Sequence, residues 1–480
     1  MKRSGRREDI LLNINVIIFC CFAFLSFFGK VTKFGIAGHT FGLSFYISII
    51  AFPLFLISYI VSLRKRCNID FYIYNLVLLV SVLLFSSLGM SYILYPSKSG
   101  LFGTNPFKVW ALNTVKYLYD LFGIIYCIYF LSVIQRKTVK LVCIIFFWLW
   151  VFVGFVQIIV YKANSPALNN IYDSLNFLGV LQSTQTMARI IQNYGYMRIA
   201  IFGSEPASNC VVIFCFIVPI LCYKFFESRK NKSSFFSKVR LYVATIITII
   251  FAVFAKSSSI LVAAIFFVIA LYFIFMSLKN IKSRTKGIVT IAGVVAVGIS
   301  FLVLVLTSKN GNIFLKLFNT QDYSTQYRYS TIWNDIVIFV KSSIFGVGDG
   351  NQGYYYFENI VGTWMSNNVE TQASLRGENG LLGGGPLVPS FISGYGLLGV
   401  IILYITFKKY FMHINNTNGF FKGLAKYLII ASMCTFGLLS IATTNIHFNA
   451  SAYLVIALPT IFSASNVINK HVYDYLEIEI

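Results

Sequence analysis

Apolar residues in this chain come in blocks of about twenty, and that block length constrains the fold more than any other feature. The ~30 Å hydrocarbon core of a bilayer takes ~20 helical residues to cross, and inside it only helices and closed barrels satisfy their own backbone. Twelve blocks can be cut, near 10–28, 40–62, 71–95, 117–134, 141–160, 206–223, 241–255, 260–277, 288–306, 391–407, 427–442 and 450–467. Composition agrees: 57% of the 480 residues are hydrophobic and 11% charged, with 48 Phe, 30 Tyr and a mean hydropathy of +0.75. A soluble domain carries about 25% charged residues. A soluble enzyme, a disordered chain and a disulfide scaffold are thereby excluded. The pattern predicts an all-α integral membrane protein, a bundle of about twelve transmembrane helices.

A net charge of +23 would suit a nucleic-acid binder, but its distribution argues for topology instead. The segments on the side of the N-terminus hold 25 of the 39 Lys and Arg, including Lys2-Arg3, Arg64-Lys65-Arg66, Arg136-Lys137, Arg229-Lys230 and the run from Lys279 to Lys286. By the positive-inside rule that side is cytoplasmic, so both termini are inside. The basic clusters are anchors for membrane lipids, and no nucleic-acid partner is expected. The basic start and apolar stretch from Ile10 to Phe28 resemble a signal peptide without a cleavage site, which predicts an uncleaved first span. Of nine cysteines none falls in an outward loop, so neither a disulfide framework nor a Cys/His metal site is implied.

Two long connections face outward, 161–205 and 307–390. They divide the chain into nine helices over 1–306, a large periplasmic loop or cap over 307–390, and three helices with a cytoplasmic C-terminus over 391–480. An outward loop of this length is usually functional or disordered; its aromatics and near-balanced charge argue for a folded cap. Tyr329, Ile332, Trp333, Ile336 and Val340 recur at helical spacing. They predict an amphipathic helix from about Ser324 to Ile344, lying on the bundle or in the interface and ended by Gly346-Val347-Gly348-Asp349-Gly350. A similar helix is expected in the earlier loop, through Ile171, Leu175 and Leu178, then Met187, Ile190 and Ile191. The spans hold one ionisable residue, Asp120, whereas ion and proton pathways normally show more. The polar investment lies in the outward loops, which favours chemistry at the outer surface over transport through the bundle.

Three segments there stand out. The first runs from Arg198 through Gly203-Ser204-Glu205-Pro206; the second holds Arg328-Tyr329, Trp333 and Gly346-Val347-Gly348; the third holds Asn379-Gly380 and Tyr395-Gly396-Leu397-Leu398-Gly399. Ser204, Glu205 and Pro206 also read as an ordinary helix start. In order, spacing and sidedness the three resemble the Wzy-type O-antigen polymerases and the superfamily they share with O-antigen ligases. The resemblance implies a metal-independent glycosyltransferase without cofactor. Donor and acceptor would both be oligosaccharides on undecaprenyl diphosphate, joined at the periplasmic face of a bacterial inner membrane, with a chain-length regulator as a possible partner.

Such a reaction needs the leaving diphosphate stabilised, and arginine's permanent charge and planar fork match phosphate oxygens bidentately. Arg198 and Arg328 are the first candidates and Arg376 the third. Each has a structural alternative, anchoring its loop through a lipid phosphate or a carboxylate: Glu205 for Arg198, Asp322 or Asp335 for Arg328. Glu378 and His447 are both open as the general base, histidine having the suitable pKa. Glu205, Tyr329, Trp333, Asn379 and Tyr395 complete the substrate-binding candidates. Tyr354-Tyr355-Tyr356 with Trp364 could stack on sugars or form an interfacial aromatic girdle. Ligases resembling this family carry a His-Asn pair in the large loop. Glu378-Asn379 stands there instead, with no histidine in 307–390, so the ligase is the alternative reading. A flippase or transporter for the same lipid-linked sugar is the other.

Overall fold

The computed structural model describes residues 30–36, 39–42, 53, 85–113, 136–163, 165–176, 181–194, 197–201, 209–230, 235–255, 257–277, 323–360, 372, 386–416 and 424–442. Among these the chain is predominantly helical. One antiparallel hairpin, β1 (Lys30–Ile36) and β2 (His39–Gly42), pairs Ile36 with His39 and Gly35 with Thr40. It occupies the connection expected between the first two spans and extends two residues past 40, into the second.

The helices are α1 (85–98) and α2 (106–113), α3 (Arg136–Ala163), α4 (Pro166–Leu175) and α5 (Thr184–Tyr194). Then α6 (Asn209–Val211) runs through a π-helical turn, Val212–Ile217, into α7 (Val218–Lys230). After these come α8 (Phe235–Ala255), α9 (Ser258–Ser277), α10 (Tyr323–Lys341), α11 (Gln352–Ile360), α12 (Leu387–Asn416) and α13 (Leu424–Ala442). The expected blocks 141–160, 241–255, 260–277, 391–407 and 427–442 each fall on one of these helices, and from residue 209 on the block 206–223 runs through α6, the π-turn and α7. The blocks 10–28, 117–134, 288–306 and 450–467 lie outside the described residues, as do most of 40–62 and residues 71–84 of the block 71–95, whose remainder falls on α1.

Two helical stretches, Ile144–Ala163 of α3 and the whole of α8, are long and apolar enough to cross a membrane. From Ile144 to Tyr161 in α3 and from Leu241 to Ala255 in α8 the residues are predominantly apolar around the circumference, which is how a helix reads when no face meets water. On α3 the face Phe146, Trp150, Val153 and Gln157 is buried, while Ile144, Trp148, Phe152 and Ile159 point outward. On α8 only Thr248, Phe251 and Ala255 are buried, and Phe235 and Phe236 are about three-quarters exposed at 74% and 75%. Gly154 lets the Phe251 ring come close, since a Cβ there would lie 2.6 Å from Phe251 Cε2. The ring then packs edge-on against Trp150 with centroids 5.0 Å apart. This core continues through the π-turn and reaches Ile260 and Ala263 of α9 and Leu439 of α13.

A second assembly joins α10, α11 and α12, with α13 bridging it to the first. The helix expected over 324–344 is present as Tyr323–Lys341, but it docks by the opposite face from the one its pattern suggests. Tyr329, Trp333, Ile336 and Val340 face outward, whereas Ser330, Thr331, Asn334, Asp335 and Ile338 are buried. The buried set is small and short, so α10 and α12 can approach closely, and its polar atoms find partners across that contact. In the earlier loop the single expected helix is two, α4 and α5. Asn176 separates them, its side-chain amide exchanging two hydrogen bonds of 2.8 Å with the peptide groups of Leu181.

Candidate functional site

Arg198 sits in residues 197–201, which are neither helix nor strand yet run through the interior of the first assembly. Ile199, Ala200 and Ile201 are fully buried. Buried backbone needs partners, and here side chains and one neighbouring helix supply them. Tyr161 Oη donates to the Arg198 carbonyl at 2.9 Å. The Ile199 N–H donates to Phe254 O at 3.3 Å, and Asn209 Nδ2 donates to Ile199 O at 3.4 Å. Gln157 completes the strap: its Oε1 accepts the Ile201 N–H at 2.9 Å, and its Nε2 donates to Ile201 O at 3.0 Å. The same Nε2 donates to Tyr172 Oη at 3.2 Å, so donors and acceptor of this amide are all engaged.

Ile201 has φ +54°. For a β-branched residue that is a strained conformation, costing about 1–3 kcal/mol, and such strain persists only where surroundings over-determine it. The π-turn begins eleven residues later, and π-turns cluster at functional sites. The segment holding Arg198 is therefore fixed through its backbone from α3, α6 and α8, and Arg198 itself is half-buried.

The second assembly is built on glycine. Gly346, Gly348 and Gly350 have φ of +71°, +85° and +80°, and Gly396 has +60° within α12. At Gly396 the helix kinks (ψ −158°), and the turn after α10 packs backbone against backbone into that kink. Val347 N donates to Ser393 O at 3.1 Å and Gly348 N to Gly394 O at 2.9 Å; Leu397 N donates to Ser343 O at 2.7 Å and Leu398 N to Ile344 O at 3.2 Å. A Cβ on Gly346 would lie 2.4 Å from Gly394 C, and one on Gly396 would lie 2.6 Å from Gly346 N. The third side comes from α1 and α2. Asp349 N donates to Ser87 Oγ at 2.9 Å, Asn351 Nδ2 to Ser91 Oγ at 2.8 Å, and Asn113 Nδ2 to Asp349 O at 3.1 Å. Lys98 pairs with Glu358 at the rim. The amides of Gly346, Val347, Gly348, Asp349 and Asn351 all donate within the protein, so this loop is a structural joint and not a phosphate cradle.

Asp335 lies at the centre of the α10, α11 and α12 contact, 1% exposed. It accepts from Tyr356 Oη at 2.7 Å, Ser393 Oγ at 2.6 Å and Ser390 Oγ at 3.2 Å. Burial pushes its pKa up to about 7; the three hydroxyls oppose that rise and the nearby Asp349 adds to it. A carboxyl titrating near neutrality is a feature of functional sites, although this one is enclosed by its hydroxyl partners.

Of the candidate residues named from the sequence, Glu205, Arg376, Glu378, Asn379 and His447 lie outside the described residues. Arg328 falls in α10, and the expected meeting of Arg198 with Arg328 turns on the Arg328 side chain, which is also outside them. Tyr329 and Trp333 are exposed, at 48% and 66%, and available to a ligand or to lipid. Tyr395 is 1% exposed, its ring 4.9 Å from that of Phe391; it supports the kink and presents no surface to a sugar in this conformation. Gln157 and Asp335 have the arrangement of site-supporting residues, and neither is among the candidates that the sequence offers. The signal for Gln157 is a lone amide in an otherwise apolar run. Asp335 is visible in the sequence only as an ion-pair mate for Arg328, whereas its described partners are hydroxyls. Among the described residues no three His, Cys, Asp or Glu side chains converge as metal ligands. Comparison with protein-family models, curated proteins and solved structures finds no match.

Proposed function

We propose that the chain is a polytopic inner-membrane glycosyltransferase, a bundle of about twelve spans with both termini cytoplasmic. It would polymerise undecaprenyl-diphosphate-linked oligosaccharide repeats at the periplasmic face. The observation that carries the reading is the Arg198 strap: a strained, buried, non-helical backbone among apolar helices, holding an arginine on the segment that opens the first outward motif. Irregular backbone among membrane helices is tolerated where it is buried in protein or lines a cavity, and a fixed guanidinium is the group a departing diphosphate requires. Arg328 is the second donor in this reading, with Arg376 behind it. Glu378 or His447 takes the acceptor proton, and Trp333 and Tyr329 offer aromatic faces to sugar. The bond energy resides in the lipid diphosphate, so no nucleotide is needed.

Deleting the gene and restoring it as wild type, Arg198→Ala, Arg198→Lys or Arg328→Ala tests this. Deletion should leave single repeats on the lipid A core. Bare core with long chains still on the carrier would identify a ligase, and repeats never exposed outside would identify a flippase; either overturns the reading. Alanine at either arginine should abolish polymer at unchanged protein level. Lysine at 198 should restore only part of it, because an ammonium keeps the charge but loses the fork.

A further inference from the structure

The strap around Arg198 is more elaborate than a loop needs merely to be buried. Gln157 and Tyr161 are four residues apart on α3, hence one turn apart on the same face. One side chain clasps both peptide groups of Ile201, and the other holds the carbonyl of Arg198. Between them Ile199 is tied to α8 and α6. A polar amide in an apolar helix is costly unless satisfied, and an isoleucine there would suit α3 better. Gln157 satisfies the buried N–H and C=O of Ile201, and in doing so it fixes the segment that carries Arg198.

We infer that Gln157 and Tyr161 are positioning residues, which hold the segment carrying the Arg198 guanidinium against the leaving diphosphate by clamping the backbone at the Arg198 carbonyl and again three residues beyond it. This rests on the reading of Arg198 as a diphosphate donor. Because a group placed for the transition state lowers the barrier more than it tightens ground-state binding, misplacing it should lower kcat far more than it raises KM. A shift of about 1 Å can cost about a hundredfold.

The test uses the full chain in nanodiscs of bacterial phospholipid, as wild type, Gln157→Leu, Gln157→Glu, Tyr161→Phe and Arg198→Ala. Hydrogen exchange at residues 197–201 reports the clamp independently of function. Turnover of the lipid-linked repeat extracted from the host reports kcat and KM per folded protein. Gln157→Leu should speed exchange of the Ile201 amide and lower kcat about a hundredfold with KM little changed. Gln157→Glu should recover part of kcat, because its carboxylate still accepts the Ile201 N–H. Tyr161→Phe removes a single hydroxyl and should lower kcat about tenfold, the scale of one neutral hydrogen bond. Should Gln157→Leu fail to fold, the other two substitutions decide. Faster exchange with wild-type kcat, beside an inactive Arg198→Ala, overturns the positioning role and leaves the donor reading standing. Normal turnover by Arg198→Ala overturns both.

Discussion

Among the described residues Ile201 is the one non-glycine with positive φ, and its backbone departs from what its side chain prefers. Truncating a buried isoleucine costs ~2–5 kcal/mol, and in ordinary backbone glycine is less stable than alanine by a further ~0.5–1 kcal/mol. At φ +54° that order should invert, because only glycine adopts the left-handed region without the ~1–2 kcal/mol that a Cβ costs there. Denaturant unfolding should therefore find Ile201→Gly more stable than Ile201→Ala by about 1 kcal/mol; alanine at or above glycine would refute the strain. Asp335 makes a pH-dependent contribution of known sign. Its pKa is raised from 3.8 to about 7 in the folded protein, so the fold prefers the protonated carboxyl. That preference is fully present below the unfolded value and is lost as pH rises through the folded one. Wild-type stability should thus fall between about pH 4 and 7 relative to Asp335→Asn, which carries no titrating group there. Parallel melting curves across that window would show that the carboxyl is not buried as described.

Among the elements, the joint between the turn after α10 and the kink of α12 depends on absent side chains. Gly346 and Gly396 combine positive φ with contacts under 3 Å to backbone that cannot move aside. Alanine at either should destabilise by more than ~2 kcal/mol, overpacking and strain acting together. A Cβ added at Gly89 in α1 would meet nothing within 4 Å, so Gly89→Ala should gain up to ~1 kcal/mol of helix propensity. Thermal unfolding of the three variants, with only Gly89→Ala at or above wild type, is the expected outcome; a neutral Gly346→Ala would refute the close approach. Of the glycines that carry the family resemblance, Gly346, Gly348 and Gly396 thus have a sufficient packing explanation in this joint. That leaves the arginines, and not the glycines, as the residues on which chemistry has to be tested. The two amide side chains are an element-scale device of the same kind: Asn176 with Leu181 and Gln157 with Ile201 each pair with the N–H and C=O of one residue as a strand neighbour would.

For the whole molecule, the helices are legible in the sequence because their signal is collective: an apolar run tolerates a wrong residue and still marks a helix. Hence α3, α8, α9, α12 and α13 overlie the expected blocks, and α10 is found within three residues of its expected ends. Orientation is less legible. A stripe such as Tyr329, Trp333, Ile336 and Val340 shows that a helix is two-faced, but which face turns inward depends on what lies opposite. Opposite α10 stand Ser390, Ser393 and Tyr356, residues that favour a polar neighbour. Gln157 is inconspicuous because charge is what marks a functional position within a span, and an amide has none; its importance comes from a strained peptide 44 residues away. The burial of Asp335 also has a consequence in time. Two of its hydroxyl partners follow it by 55 and 58 residues, and ribosomes extend chains at ~5–20 residues per second. For roughly 3–12 s after α10 emerges, its inward face has Tyr356 of α11 within reach but lacks the Ser390 and Ser393 hydroxyls of α12. The nascent helix must wait with Asp335 incompletely partnered until α12 arrives, so a slowed ribosome between codons 340 and 390 would prolong that interval.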